Sequence, residues 1–282
     1  MIVTHTIADC REQRATLGRL ALVPTMGALH AGHLSLVSEA RRQADHVAVS
    51  IFVNPTQFGP NEDYHRYPKP IEADLAMCEA AGVDLVFCPT ADEMYPADVP
   101  TASIDLADLT ATLEGAHRPG HFAGVCQVVA KLFNILHPQA ACFGEKDFQQ
   151  LAVLTAMTTA LNFPLTIIPC PTLREPDGLA MSSRNRYLSP AERRRALSIS
   201  RALVEAAAQV RAGVVQAAAL REAIVARLDD SADAPGIPVK LDYATIVDRA
   251  TLREVGTIER PSQAVVAMRV GTTRLIDNIR HS

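Results

Sequence analysis

No apolar run in this sequence approaches the roughly 20 residues that a membrane-spanning helix needs, so no membrane role is expected. C-x-x-C pairs are missing as well. The cysteines, Cys10, Cys78, Cys88, Cys126, Cys142 and Cys170, are scattered, mostly in apolar surroundings such as Ala140-Ala141-Cys142-Phe143. Such spacing offers neither clustered metal ligands nor the disulfide framework of a small secreted chain. The expectation is reduced, mostly buried thiols of an intracellular protein. Positive charge is not in excess: 27 Lys and Arg stand against 31 Asp and Glu, for a net charge of -4 and a pI near 6.1. A non-specific nucleic-acid binder would normally be basic, so that class is disfavoured. Met1-Ile2-Val3-Thr4-His5 carries no basic region leading into an apolar segment, so no signal peptide is expected and a cytoplasmic location follows. Also missing are G-x-x-x-x-G-K-[ST], G-x-G-x-x-G, H-E-x-x-H and G-x-S-x-G. Their absence removes P-loop, simple dinucleotide, zincin and serine-hydrolase chemistry as first choices. There is no internal repeat and no low-complexity tract.

What is present has an ordinary globular balance, 48% apolar and 21% charged over 282 residues, a length that suggests about two domains. The chain is organised around Pro24-Thr25-Met26-Gly27-Ala28-Leu29-His30-Ala31-Gly32-His33. The apolar run Leu20 to Val23 before it reads as a buried strand, and Leu34 to Ala40 after it has helical spacing. Two histidines and two glycines therefore sit where a strand turns into a helix. In an open α/β sheet that junction binds ligands, and a helix start suits phosphate.

Strand-like runs recur at Val47–Val53, Asp84–Phe87, Ala140–Phe143 and Leu165–Ile168. Helical patterns lie between them at 6–17, 71–81, 124–136 and from Gly144 to about Leu161, while 88–122 is irregular. This rhythm predicts βαβ units and a parallel sheet. Composition then changes. Ser189-Pro190-Ala191-Glu192 reads as an N-cap with proline at the first helical position and glutamate at the third. Two Ala/Arg-rich helices follow, about 190–212 and 215–229. Leu241–Val247, Ala264–Val270 and Thr273–Asp277 predict a small antiparallel sheet. The expected architecture is α/β: a Rossmann-like parallel-sheet nucleotide-binding domain over 1–175 and a smaller α+β lid domain over 176–282, with the boundary near 172–188.

Polar loops follow the predicted parallel strands at His30–His33, Asn54–Gln57 and Gly144–Asp147, and Met181-Ser182-Ser183-Arg184 joins them from the boundary. The i, i+3 spacing of His30 and His33 puts both rings on one side of a first helical turn. Lys146 places a cation at a helix start, which is electrostatically unfavourable and argues for an anionic ligand. Arg118 and His121, in a Pro-Gly loop, suit turn support as well as catalysis. Asp74 reads either as an outer metal ligand or as a solvated helix charge.

His30-Ala31-Gly32-His33 resembles the HIGH signature of the nucleotidyltransferases related to class I aminoacyl-tRNA synthetases, and Met181-Ser182-Ser183-Arg184 resembles their KMSKS signature. More narrowly, Pro24 to His30, Ser50-Ile51-Phe52-Val53-Asn54-Pro55-Thr56-Gln57-Phe58, Arg118-Pro119-Gly120-His121-Phe122-Ala123-Gly124-Val125, Phe143-Gly144-Glu145-Lys146-Asp147 and Met181 to Asn185 together resemble the pantoate–β-alanine ligase family. The likeness runs through nearly the whole chain. Small departures are Phe148 where the family often has Tyr, and Lys69 where Arg is common.

The resemblance implies condensation of pantoate with β-alanine at the expense of ATP, through a pantoyl adenylate. It implies His30, His33, Lys146 and Arg184 as catalytic residues. ATP would be held by Met26, Gly27, His30, Gly32, His33, Gly144, Lys146, Asp147, Leu173, Met181, Ser182, Ser183 and Arg184. Pantoate and β-alanine would meet Gln57, Gln150 and Asn54. Mg²⁺ is expected on the triphosphate, with no protein cage for it, and a homodimer is expected. Three other readings stand beside this one: a nucleotidyltransferase that stops at an adenylylated or cytidylylated product, which the histidine motif serves equally; an RNA-binding or tRNA-charging relative, which the pI of 6.1 and a second domain of only about 100 residues oppose; and a catalytically dead binding module, which the presence of every candidate phosphate group opposes.

Overall fold

The computed structural model describes residues 1–60, 62–230 and 234–281. The chain forms two compact units, Met1–Glu145 with Gln150–Pro171, and Lys146–Gln149 with Thr172–Ser282. Among the described residues no helix is long and apolar enough to cross a membrane.

The first unit is built on a six-stranded sheet: β1 (Ile2–Thr4), β2 (Leu20–Thr25), β3 (His46–Ile51), β4 (Leu85–Phe87), β5 (Ala140–Gly144) and β6 (Thr166–Cys170). The order is β1-β4-β3-β2-β5-β6, and every pairing is parallel. The central strands are apolar on both faces, and Leu20, Ala21, Leu22 and Val23 are fully buried, as a sheet covered on both sides requires. Helices α1 (Ile7–Ala15), α2 (Ala31–Gln43), α3 (Ile71–Ala80), α7 (His121–Leu136) and α8 (Phe148–Ala160) alternate with the strands. The irregular stretch contains three one-turn helices, α4 (Ala91–Met94), α5 (Ala107–Thr110) and α6 (Glu114–His117), and α7 begins at its end, at His121. One strand, β1, carries no pattern in the sequence. At three residues it is too short for a period, and it is fixed only by pairing with β4.

Strand order reverses at β2, which has β3 on one side and β5 on the other. The registered β2–β5 pairing covers only Ala21–Ala140 and Leu22–Ala141. No registered pair joins the two strands beyond it. This is the topological switch point at which open α/β sheets bind ligands; the histidine loop follows one strand, and Gly144 ends the other.

The second unit packs α9 (Pro190–Arg211) and α10 (Ala217–Asp229) on an antiparallel sheet, β7 (Val239–Asp248), β8 (Ser262–Val270) and β9 (Thr273–His281). Ser189 begins α9 with the expected capping box: its Oγ accepts the Glu192 N–H, and Glu192 accepts the Ser189 N–H. Arg195 of α9 is a charged residue inside the second unit. It is buried, and it donates to Ser198 and to the Leu228 carbonyl at the end of α10.

Candidate active site

The expected site residues divide between the two units. In the first, β2 ends at Thr25, whose hydroxyl donates to the Ser50 carbonyl at 2.7 Å and accepts the Gly27 N–H at 3.1 Å. The chain then turns through φ of +79° at Gly27 and +51° at Ala28. Asp74 makes this turn possible. Its carboxylate, 1% exposed, reaches from α3 to accept the N–H groups of Ala28 (2.8 Å) and Leu29 (2.7 Å). A Cβ on Gly27 would lie 2.9 Å from Asp74 Oδ2. Asp74 is therefore neither a solvated helix charge nor a free metal ligand. Both oxygens hold the loop that carries the histidines. Nothing local in the sequence around Asp74 signals a partner some 45 residues upstream.

His30 is the N-cap of α2, and its Nδ1 accepts the Gly32 N–H at 3.1 Å. In the neutral ring the proton is therefore on Nε2, which makes His30 a hydrogen-bond donor toward an anion. His33, in the first turn of the same helix, lies against it with ring centroids 4.1 Å apart and the planes tilted by 31°. Met26 touches Gln57, whose Nε2 lies 3.2 Å from the Met26 sulfur. The loop from Asn54 to Gln57 thus reaches the histidine loop. Gly144 lies where an added Cβ would meet nothing within 4 Å. Gln150 is half-buried in the first part of α8.

Asn54, expected as a substrate contact, is held by its neighbours. It is 1% exposed. Its Oδ1 takes the Tyr95 hydroxyl (2.9 Å), the Thr56 hydroxyl (3.0 Å) and the Thr56 N–H (3.4 Å), and its Nδ2 donates to Gln57 Oε1 and the Gly124 carbonyl, both at 3.1 Å. Its polar atoms are engaged within the protein, so Asn54 shapes the loop and orients Gln57.

The Pro-Gly loop backs the same segment. His121 Nδ1 lies 2.8 Å from the Gln57 carbonyl and its Nε2 lies 2.9 Å from Arg118 Nη1. Burial, reinforced by the Arg118 charge, pushes the His121 pKa from 6.5 down to about 4, against the opposing pull of the Gln57 carbonyl, Glu114 and Glu62. An unfolded chain takes up that proton near pH 6.5 and the folded chain only near pH 4. The stability this histidine contributes is complete above about pH 6.5 and is lost as the pH falls toward 4, by about 3 kcal/mol in all. Urea titrations at pH 7, 5.5 and 4.5 should show this loss, and His121→Phe should have a flatter profile. Equal slopes for both proteins would contradict the assignment.

In the second unit Lys146 lies in a 3-10 turn, Glu145–Asp147, ahead of α8. Its carbonyl accepts Asn278 Nδ2 at 2.8 Å, Asn278 Oδ1 accepts Gln263 Nε2, and Gln263 Oε1 accepts Arg249. Arg249 also lies over the ring of Phe148, 5.4 Å from its centroid. This network draws Lys146–Gln149 into the second unit, and Asp147 is half-buried beside it. Leu173 and Met181 are brought together, the Met181 N–H donating to the Leu173 carbonyl at 3.0 Å. Ser182 accepts the Arg184 N–H at 3.3 Å, and Ser183 is buried behind it. Asn185 ties the loop to Glu175 (2.6 Å) and to the Ala180 carbonyl (3.0 Å). Arg174 pairs with Asp277 at 2.7 and 3.0 Å.

Cys10, Cys78, Cys88 and Cys126 are not built for reaction. Burial pushes the thiols of Cys10 and Cys78 up to about 11 and those of Cys88 and Cys126 up to about 12, and nucleophilic cysteines need the thiolate. Among the described residues no group of three or more His, Cys, Asp or Glu side chains could hold a metal ion.

Comparison with known proteins bears directly on this arrangement. The family described as pantoate-beta-alanine ligase matches residues 2–280. This chain belongs to that ligase family. Among its curated relatives, a pantothenate synthetase of Roseiflexus castenholzii is 52% identical over 279 residues, covering 99% of this chain and 98% of the relative. A crystal structure of pantothenate synthetase from Thermus thermophilus superposes with a TM-score of 0.92 at 45% identity, covering 99% of both chains. A pantoate-beta-alanine ligase from Francisella tularensis, complexed with beta-gamma ATP and beta-alanine, superposes with a TM-score of 0.79 at 33% identity over 99% of this chain and 97% of that one.

Proposed function

We propose that this chain condenses pantoate with β-alanine, giving pantothenate, AMP and pyrophosphate. The observation that carries the reading is the paired imidazoles of His30 and His33 at the switch point of a ligase-family sheet. In the first step a pantoate carboxylate oxygen attacks the α-phosphorus of ATP and pyrophosphate leaves. Two anions must meet, and charge grows on the leaving group. Preorganised donors lower that barrier most. His30, His33, Lys146 and Arg184 take this role, and the Ser182 and Ser183 hydroxyls donate to phosphate oxygens. Met26, Gly27 and Gly32 line the histidine turn, Gly144 and Asp147 take the adenosine, and the backbone at Leu173 and Met181 flanks the base.

Mg²⁺ supplied with ATP would screen the charge of the triphosphate. Gln57 and Gln150 bind pantoate through neutral amides, because a salt bridge to the carboxylate would lower its nucleophilicity. In the second step the neutral amine of β-alanine attacks the acyl carbon, AMP leaves and the amine gives up a proton. Positioning supplies much of this rate, and no covalent bond to the enzyme forms. We further propose that the protein acts in the cytoplasm as a homodimer.

The test is incubation with MgATP and pantoate, with and without β-alanine. Continuous AMP release is expected only with the amine. Continuous turnover without it, with an adenylylated product accumulating, would favour the nucleotidyltransferase reading and overturn this one.

A further inference from the structure

Four hydrogen bonds hold Gln57, with Asn54, Met26, Arg118 and His121, and the reaction as derived gives no part to Arg118, to His121 or to their partner Glu62. Arg118 clamps Glu62 with two bonds, Nε to Oε1 at 2.6 Å and Nη2 to Oε2 at 2.9 Å. A guanidinium can only donate, so His121 Nε2, 2.9 Å from Arg118 Nη1, is the acceptor. The proton of the neutral ring is then on Nδ1, which donates to the Gln57 carbonyl at 2.8 Å. On the other side, Asn54 holds Gln57 Oε1 and Met26 receives one amide hydrogen. Gly124, in the first turns of α7, lets the helix approach this loop closely: a Cβ there would lie 2.3 Å from the Thr56 carbonyl oxygen and 2.7 Å from the Gln57 nitrogen. Gln57 is thus fixed at its main chain and at both ends of its side-chain amide, with one amide hydrogen remaining to donate.

Charge explains why this support takes the form it does. Burial would raise the Glu62 carboxyl, but the Arg118 bonds and charge, helped by the Gly59 N–H, hold it below its ordinary value, so it stays ionised. Glu114 lies 3.7 Å from the same guanidinium. The arginine is therefore neutralised where it stands. It braces a neutral imidazole and also reaches the Gln57 carbonyl itself, Nη2 to O at 3.4 Å, so the Gln57 main chain is held from both side chains without a net cation at a nucleophilic carboxylate.

We propose that Glu62, Arg118 and His121 are positioning residues for pantoate, fixing the Gln57 main chain so that its remaining amide hydrogen meets an oxygen of this hydroxy acid. The proposal rests on the reading of Gln57 as a pantoate residue. It is tested by steady-state kinetics of the full chain with each substrate varied in turn, for wild type, His121→Phe, His121→Asn and Glu62→Gln. His121→Phe and Glu62→Gln should raise the pantoate KM roughly tenfold, the scale of one lost hydrogen bond, with the ATP KM changed less than about twofold. His121→Asn places an amide N–H where Nδ1–H stood and should recover most of the pantoate KM. Glu62→Gln, nearly isosteric, keeps the test open if His121→Phe misfolds. Equal rises in both KM values, no rise at all, or an asparagine variant no better than phenylalanine would overturn the positioning role. Absence of pantoate-dependent turnover in wild type would instead overturn the ligase reading.

Discussion

Replacing His30, His33 or Lys146 by alanine is expected to slow pyrophosphate release in the adenylation step at least about a hundredfold each, the usual scale for removing one preorganised donor from a developing charge. Stability separates this from damage to the fold. His30 also caps α2 through Nδ1, so His30→Ala should cost about 1 kcal/mol. His30→Asn restores a good cap without the ring and should be as stable as wild type yet as slow as the alanine variant. Lys146 carries its cation just before α8, where the helix dipole disfavours it, and the Asn278 bond is to its carbonyl. Lys146→Ala should therefore leave stability unchanged or slightly raised while activity collapses. Wild-type pyrophosphate release in all three alanine variants would refute the assigned roles.

These residues were legible because each follows a strand whose apolar run marks it. Leu20–Val23 and Ala140–Phe143 are buried on both sheet faces, so their ends, and hence His30 and Gly144, could be placed from pattern alone. The α9 start was legible for a similar reason, since Ser189 and Glu192 form a local motif. Long-range partners were not legible. Asn54 is bonded to Tyr95 and to Gly124, and no spacing rule connects those positions. Arg118 and His121 were open between turn support and catalysis. Their bonds to Glu62 and to the Gln57 carbonyl, 56 and 64 residues away, decide what they hold. Lys146 is drawn to the second unit by Asn278, 132 residues away.

Asp74 is the strongest case of such a partner, and its removal should have the second large effect. Asp74→Ala takes the acceptor from the N–H groups of Ala28 and Leu29. Losing two charge-assisted bonds at buried donors should cost about 3 kcal/mol, measurable by urea denaturation. The kinetic effect should be larger than stability alone predicts. The carboxylate fixes a turn that runs through positive φ at Gly27 and at the non-glycine Ala28, two residues before His30. Without it the turn relaxes and the imidazoles move, and a displacement of about 1 Å costs on the order of a hundredfold in rate. Asp74→Asn keeps one acceptor but turns an amide N–H toward the other donor, so it should fall between wild type and alanine. Gly27→Ala should mimic Asp74→Ala, because its Cβ would crowd Asp74 Oδ2 at 2.9 Å and Ile51 at 3.1 Å in a left-handed conformation. Magnesium separates the clamp from a metal-binding role. A lost metal ligand would be compensated in part by raising Mg²⁺, whereas a lost loop clamp would not. Recovery of Asp74→Asn at high Mg²⁺, or wild-type pyrophosphate release by Asp74→Ala, would show that the histidine turn holds its shape without this carboxylate.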